Sequence, residues 1–175
     1  MLKNLIFGLA LTIGTTAFAQ TAPPAATAVP DTQIAKILLT INDGEIDAAK
    51  IAKSHAQNQE VKDFAKMMHD QHETNMKETK KIAKDNHINP QDSATAKTLK
   101  EEAKTANTDL KRQEKSAFDK AYIKEQITMH EAALKTLKET LIPSAQNPAF
   151  KAHLEKTQAA VAEHLEHAKM LDAKL

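Results

Sequence analysis

The stretch that decides the fold is residues 31–55, which read DTQIAKILLTINDGEIDAAKIAKSH. Asp31 is a preferred N-cap residue and opens the stretch. Apolar side chains then recur in steps of three and four residues, at Ile34, Leu38, Ile41, Ala48 and Ala52. This spacing predicts one long helix with an inward-facing apolar stripe. Glu45 interrupts the stripe where an apolar side chain is expected.

Prolines and capping residues divide the rest of the chain into three more long helices. The second helix is predicted to start after the cap Asn58 and to run to about Asn86. The third is predicted from Ser116 to a point before Pro143. The fourth opens with Asn147 followed by proline, and it runs to the C-terminus.

The lengths of the connections predict how these helices are arranged. Short connections near Gln57 and Ser144 make two antiparallel hairpins, and the tripeptide Ala-Gln-Asn in both of them hints at an internal repeat. The connection between the second and third long helices is long and contains its own helical stretch from about Asp92. Such a crossover makes the second and third long helices run in the same direction. The predicted fold class is therefore all-α, a ferritin-like four-helix bundle with a long helical crossover.

The composition agrees with a single globular helical domain. The chain has 175 residues, of which 27% are charged and 41% hydrophobic, and it has no cysteine. Disulfides, thiolate nucleophiles and cysteine-ligated zinc are therefore excluded. The motifs GxSxG and HExxH and a glycine-rich phosphate loop are also missing, which argues against hydrolase activity.

The N-terminus has the pattern of a secretory signal peptide. Lys3 precedes an apolar run from Leu5 to Ile13, and Ala17-Phe18-Ala19 forms an A-x-A cleavage site before Gln20. We therefore expect a signal peptide at 1–19, a flexible Pro/Ala-rich linker at 20–30 and the helical bundle at 31–175. The expected location is the periplasm or another exported site, and association with the outer membrane stays open.

The expected partners follow from the charge. Without Lys3 the chain has equal numbers of basic and acidic residues, which argues against nucleic acid or anionic lipid as the main partner. No transmembrane segment is expected in the mature chain, and an envelope protein remains as a partner class.

One ionisable residue interrupts each of the four apolar stripes. These residues are Glu45, His72, His130 and His164. The first three lie 14 residues past their proposed caps and the last lies 17 past its cap, so the four are expected to share one layer. A charge buried there needs a cation or a closed hydrogen-bond network. The four are therefore predicted to be metal ligands.

Further polar residues flank this layer and are candidates for alternate ligands or for groups that orient the ligands. They are His69, Asp119, Tyr122, Gln126 and His167. Imidazole and carboxylate groups bind divalent transition metals, here zinc, iron, manganese or copper. The alternative is a metal-free buried polar network in a non-catalytic envelope protein with a structural, interaction or stress role. Gly44, beside Glu45, indicates either a close backbone approach or a local distortion of the helix.

These residues also resemble a known family. The sequence is similar to the bacterial exported proteins called domain of unknown function 4142, which are often labelled outer membrane proteins. The resemblance implies a ferritin-like bundle, and no activity is established for the family. Neither the second nor the fourth helix has the Glu-x-x-His motif of di-iron bundles in line with its stripe, so a single histidine-rich site fits better. The resemblance rests on Gly44-Glu45, Val61–Ala65, Met68, Asp70, His72, Phe118-Asp119, Tyr122, Gln126, His130 and His164-Leu165.

The predicted cleavage can be tested by mass. When the chain is expressed in a Gram-negative host, we expect the envelope fraction to contain a protein that starts at Gln20. Intact-mass measurement distinguishes this product from the full chain, and a folded protein that still carries residues 1–19 would contradict the prediction.

Overall fold

The structure, a computed structural model, describes residues 28–175, and its regular elements are all helices. The all-α prediction is confirmed. The expected signal peptide and residues 20–27 of the expected linker lie outside the described residues. None of the helices described is long and apolar enough to cross a membrane. The elements are α1 Asp31–His55, α2 Gln59–Asp85, α3 Ala94–Lys111, α4 Lys115–Thr136, a π-helical turn Leu137–Leu141, α5 Ile142–Ser144 and α6 Pro148–Asp172.

Side-chain caps begin three of the helices. The side chains of Asn58, Ser93 and Asn147 accept hydrogen bonds from backbone N–H groups at the starts of α2, α3 and α6. The first residues of two helices differ from those predicted from the sequence. Asp31 is the first residue of α1 rather than its cap, and α4 begins at Lys115, one residue before Ser116.

The C-terminal end of α4 also differs from the expectation. The helix was expected to stop before Pro143, but the chain continues through the π-helical turn into α5, which contains Pro143. The N–H of Ile142 donates to the carbonyl of Leu137, five residues back. A π turn holds one more residue than an α turn, so the carbonyls shift in register before the proline, which has no N–H to donate.

Two aspartates show how the helices are oriented. Asp31, at the start of α1, accepts hydrogen bonds from the backbone N–H groups of Gln146 and Asn147 at 3.0 and 2.8 Å. Asp119, near the start of α4, accepts from the N–H groups in the α1–α2 loop at 2.7 to 3.2 Å. The starts of α1 and α6 therefore lie at one end of the molecule, and those of α2 and α4 lie at the other. Accordingly, α2 and α4 run in the same direction, and α3 travels back between them.

The two hairpin loops repeat one another. In each loop the glutamine side chain donates to the carbonyl two residues before it, from Gln57 to His55 and from Gln146 to Ser144. The next residue is in each case the asparagine that caps the following helix. Each loop is held by the aspartate of the opposite hairpin. The contacts of the two hairpins are thus related by an approximate twofold symmetry.

Buried polar side chains form a layer between two apolar clusters. One cluster contains Phe64, Phe118 and Ile123, and the other contains Ile34, Phe150 and Leu154. Along α1, α2, α4 and α6 most of the buried polar residues lie between the segments that enter these two clusters, and the buried His153 and Thr157 of α6 lie among residues of the second cluster. The residues between the clusters are Thr40, Asn42, Glu45, His72, Thr79, Gln126, His130 and His164.

The close approach expected at Gly44 is confirmed. The helix α3 packs on α1, and a Cβ atom built on Gly44 would lie 2.8 Å from the Cβ of Ala103. The side chain of Asn107 donates to the carbonyl of Gly44 at 3.3 Å. Glycine is therefore used here so that the crossover helix can lie directly against α1.

Exchanging the two small residues tests this contact. Gly44→Ala gains about 1 kcal/mol of helix propensity but crowds Ala103, which costs about 1–3 kcal/mol. We expect a net loss of unfolding free energy in urea titrations. Ala103→Gly should be less costly in the Gly44→Ala background than in the wild type, because it removes the crowding. A Gly44→Ala protein that is about 1 kcal/mol more stable than the wild type would contradict the close contact.

Candidate metal centre

Three histidines from three helices meet in the polar layer. His72 comes from α2, His130 from α4 and His164 from α6, and all three are buried. One ring nitrogen of each lies within 4.8 Å of those of the other two. The ring centroids are 5.4 to 6.0 Å apart. The structure therefore brings together three of the four predicted ligands.

Each ring is oriented by one hydrogen bond to an oxygen. Nδ1 of His72 pairs with the Asn42 side-chain oxygen at 2.8 Å, and Nδ1 of His130 pairs with the backbone carbonyl of Gln126 at 2.8 Å. Nε2 of His164 pairs with the Gln71 side-chain oxygen at 2.7 Å. Because an amide oxygen only accepts, the paired ring nitrogen carries the hydrogen and the other nitrogen has a free lone pair.

The second nitrogen of each ring is the one available to a metal. Within residues 28–175, Nε2 of His72, Nε2 of His130 and Nδ1 of His164 are buried without a hydrogen-bond partner. Buried polar atoms are normally paired, so three unpaired acceptors on three adjacent rings suit a cation or a hydrogen-bond donor.

A chain of side-chain hydrogen bonds fixes the orientation of Asn42. Its amide nitrogen donates to the carbonyl of Leu38 at 2.9 Å and to the side-chain oxygen of Asn75 at 2.8 Å. Asn75 in turn donates to the hydroxyl of Thr157 at 2.7 Å. With both amide hydrogens used in this way, the Asn42 oxygen is the atom that remains for His72.

Burial favours the neutral form of two rings of the cluster, those of His72 and His164. It holds the pKa of His72 well below its ordinary value, and nearby His130 and His164 lower that pKa further. Burial also lowers the pKa of His164 to about 4, with smaller contributions from His130 and His167. Neutral imidazole is the form that binds metals.

Glu45 lies behind His130 and outside the convergent set. One carboxylate oxygen accepts from the side-chain amide of Gln126 at 3.0 Å. The other lies 3.9 Å from Nδ1 of His130, the nitrogen that faces away from the cluster. Glu45 is therefore placed to act on the His130 ring rather than to join the three unpaired nitrogens.

A cleft connects the cluster with the surface. This α2–α6 cleft, with a volume of about 190 Å³, is lined by residues of α1, α2, α4, the π-helical turn and α6. His72 and His164 both line it, so the cluster can be reached from solvent.

The comparisons with known proteins agree with the sequence resemblance. Residues 16–171 match the family described as Domain of unknown function (DUF4142). The chain belongs to this family. No curated protein and no solved structure matches the chain. Since the description of the family states no activity, the function of this DUF4142 domain has to be inferred from its site.

Three of the five flanking candidates in this DUF4142 domain lie away from the cluster. His69 sits near the surface beside Asp70, and His167 packs edge-on against Phe64 at 5.1 Å between ring centroids. Asp119 binds the α1–α2 loop, as described above.

The other two flanking candidates lie next to the site. Gln126 contacts both Glu45 and His130. Tyr122 is fully buried near Phe64 and Phe118, and its hydroxyl has no partner among the described residues. Burial holds the pKa of Tyr122 well above its ordinary value, and Glu45 and Glu125 add to this effect.

Sequence reasoning missed the amides that orient the rings. Asn42 and Gln71 are each adjacent in sequence to a residue of an apolar stripe, but spacing alone does not distinguish them from surface amides. His153 is a further buried histidine that the stripe positions do not identify, and it pairs with the hydroxyl of Thr79 at 2.9 Å. The nearest signal was Thr79, a polar residue on the stripe of α2.

The depressed pKa of His164 makes stability depend on pH in a defined direction. Between about pH 6.5 and pH 4 the unfolded chain binds a proton at His164 that the folded chain does not. The contribution of neutral His164 to the free energy of unfolding is therefore fully present above pH 6.5. It falls as the pH is lowered toward pH 4, by about 1.4 kcal/mol per pH unit for each such proton. Glu125, whose pKa burial raises to about 7, acts in the opposite direction.

Comparison of variants isolates the histidine contribution. In chelator, His164→Asn should lose less stability than the wild type between pH 6.5 and pH 4.5, measured by urea unfolding. His87→Asn, at an exposed position, is the control for loss of a histidine. Equal pH slopes for wild type and His164→Asn would contradict the burial of a neutral ring.

Proposed function

We propose that this chain is an exported metal-binding protein that holds one divalent transition metal between His72, His130 and His164. The observation that carries the proposal is that three buried rings, whose ligand atoms lie within 4.8 Å of one another, each keep one ring nitrogen unpaired among the described residues. Such a site suits the storage, sensing or redox protection of a metal in the cell envelope.

The donor set fits zinc or copper best. Three neutral imidazoles with one open position are the protein ligands of several zinc enzymes. Imidazole also suits copper, iron and nickel, whereas manganese prefers oxygen ligands. Tetrahedral coordination needs nitrogens about 3.4 Å apart. The ligand atoms, now within 4.8 Å of one another, would therefore close in slightly on binding.

Glu45 supplies the charge that such a site needs. A dication and three neutral imidazoles carry two positive charges into a buried layer, which is costly without a counter-ion. The buried Glu45 carboxylate lies 3.9 Å from His130. A carboxylate behind a ligating histidine raises the basicity of the ring and holds its orientation. Glu45 would thus stabilise the loaded site without binding the metal.

The fold and location form part of the same proposal. The shared direction of α2 and α4, with α3 as the crossover, supports a ferritin-like four-helix bundle built from α1, α2, α4 and α6. A mononuclear histidine site differs from the di-iron centres of that fold, which use two Glu-x-x-His motifs. The sequence of residues 1–19 supports export to the periplasm, followed by cleavage before Gln20.

One observation favours the metal-free alternative, an envelope protein with a structural or interaction role. The hydrogen bonds from His72 through Asn42 and Asn75 to Thr157 close without any ion. Such a network could serve to fix the register of α1, α2 and α6. It leaves the three converging nitrogens unexplained, so we place the metal site first.

Metal loading is tested on untagged protein purified without added metal. The wild type should bind one Zn²⁺ or Cu²⁺ per chain, and its unfolding free energy should rise by about 2.7 kcal/mol at a hundredfold excess over Kd. His130→Ala should lose this gain, because it removes one of three ligands.

His69→Ala is the matched control, because it removes a histidine outside the cluster and should keep the full metal-dependent rise in Tm. Melting curves with chelator and with each metal provide the measurement. If wild type and His130→Ala shift equally with every metal, the polar-network alternative replaces the metal site.

A further inference from the structure

We propose that the α2–α6 cleft is the ligand pocket of this metal centre and takes a small uncharged molecule that gives one donor atom to the metal. This inference rests on the proposed metal site. It adds the chemical class of the molecule that occupies the open coordination position.

The position of the cleft links it to the metal. His72 and His164 line the cleft, whereas His130 does not, so two of the three proposed ligands face it and the third lies deeper. A metal bound by all three would have its remaining position toward the cleft. A donor atom that enters from solvent would therefore meet the metal at the inner end of the cleft.

The walls of the cleft favour an apolar body. Apolar side chains from α1, α4, the π-helical turn and α6 line it, namely Leu38, Ile41, Ala133, Leu137, Ala160 and Val161. Most of its polar residues are already engaged, since Asn42 donates to Asn75, Asn75 donates to Thr157 and Thr74 donates to the carbonyl of Asp70. Few directional hydrogen bonds remain for a ligand, so the metal would be its main polar contact.

The charges at the cleft favour a neutral ligand. Among the described residues that line it, the charged side chains are Glu78 and Lys156, and they pair with one another at 3.0 to 3.1 Å. This pair joins α2 to α6. A charged ligand would lose its hydration among apolar side chains, and its one unpaired partner would be the metal, whose charge the Glu45 carboxylate already balances in part.

The volume limits the size of the ligand. Pockets for drug-sized molecules measure about 300–1,000 Å³, and a water molecule occupies about 30 Å³. At about 190 Å³ the cleft can hold a single small ring or a short chain. It is larger than a coordinated water needs.

Protein loaded with Co²⁺ at pH 8 tests the ligand class, because Co²⁺ reports changes in coordination through its visible absorption. Pyridine-4-carboxamide and pyridine-4-carboxylate present the same ring nitrogen and nearly the same shape, but only the second is charged. We expect the uncharged probe to change the spectrum with at least tenfold higher affinity. Equal affinities, or tighter binding of the carboxylate, would overturn the proposal.

A pair of alanines on α6 tests the location. Ala160 lines the cleft, whereas its neighbour Ala159 is exposed. Ala160→Phe should keep the bound Co²⁺ and lose at least tenfold in affinity for pyridine-4-carboxamide, while Ala159→Phe should respond as the wild type does. If Ala160→Phe does not fold, Ala160→Leu replaces it in the test. The smaller side chain should also lower the affinity for pyridine-4-carboxamide.

The outcomes separate the two proposals. Failure of the wild type to bind Co²⁺, Zn²⁺ or Cu²⁺ refutes the metal site itself. Stoichiometric Co²⁺ that does not respond to the uncharged probe, or that responds equally in Ala160→Phe and Ala159→Phe, refutes the ligand pocket and leaves the metal site standing.

Discussion

The structure depends on the orientation of three buried imidazole rings. Each ring gives one hydrogen to an oxygen, and the other nitrogen of each ring keeps its lone pair free among the described residues. This arrangement requires three helices to present a histidine at the same level, with an amide or carbonyl oxygen behind each one. The hairpin loops and the aspartates that bind them hold the helices at that level. Apolar clusters pack on both sides of this layer.

Such a layer costs stability wherever its polar atoms are unpaired. A buried acceptor without a partner costs about 1–3 kcal/mol, and the cluster contains three of them. The large apolar side chains of the two clusters offset this cost by burial. Without a cation the three unpaired atoms destabilise the folded state, whereas a bound cation would stabilise it through the same atoms. The same three nitrogens would then bind the metal and stabilise the fold.

The helix starts and the three clustered histidines could be predicted from the sequence, because capping residues and stripe positions are local features of one helix. The caps Asn58 and Asn147 set helix starts, and the stripe positions identified the three histidines that meet. The role of Glu45 could not be predicted, since periodicity gives the face of a helix but not the direction in which a side chain points. Asp119 was misjudged for the same reason, because its partners lie 61 and 62 residues away in the α1–α2 loop. The orienting amides depend on contacts between helices that no spacing within one helix reveals.

The π-helical turn Leu137–Leu141 has a further meaning when the two hairpins are aligned. The loop-binding aspartates are 88 positions apart in the chain, whereas the capping asparagines are 89 apart, and the turn accounts for the extra residue. With these offsets Asn42 corresponds to His130, and Asn75 corresponds to His164. The amide pair of one hairpin thus occupies the place of the imidazole pair in the other. This is the pattern that duplication of an ancestral hairpin would leave, with a single-residue insertion in the second copy and with the buried histidines and amides divided between the two halves.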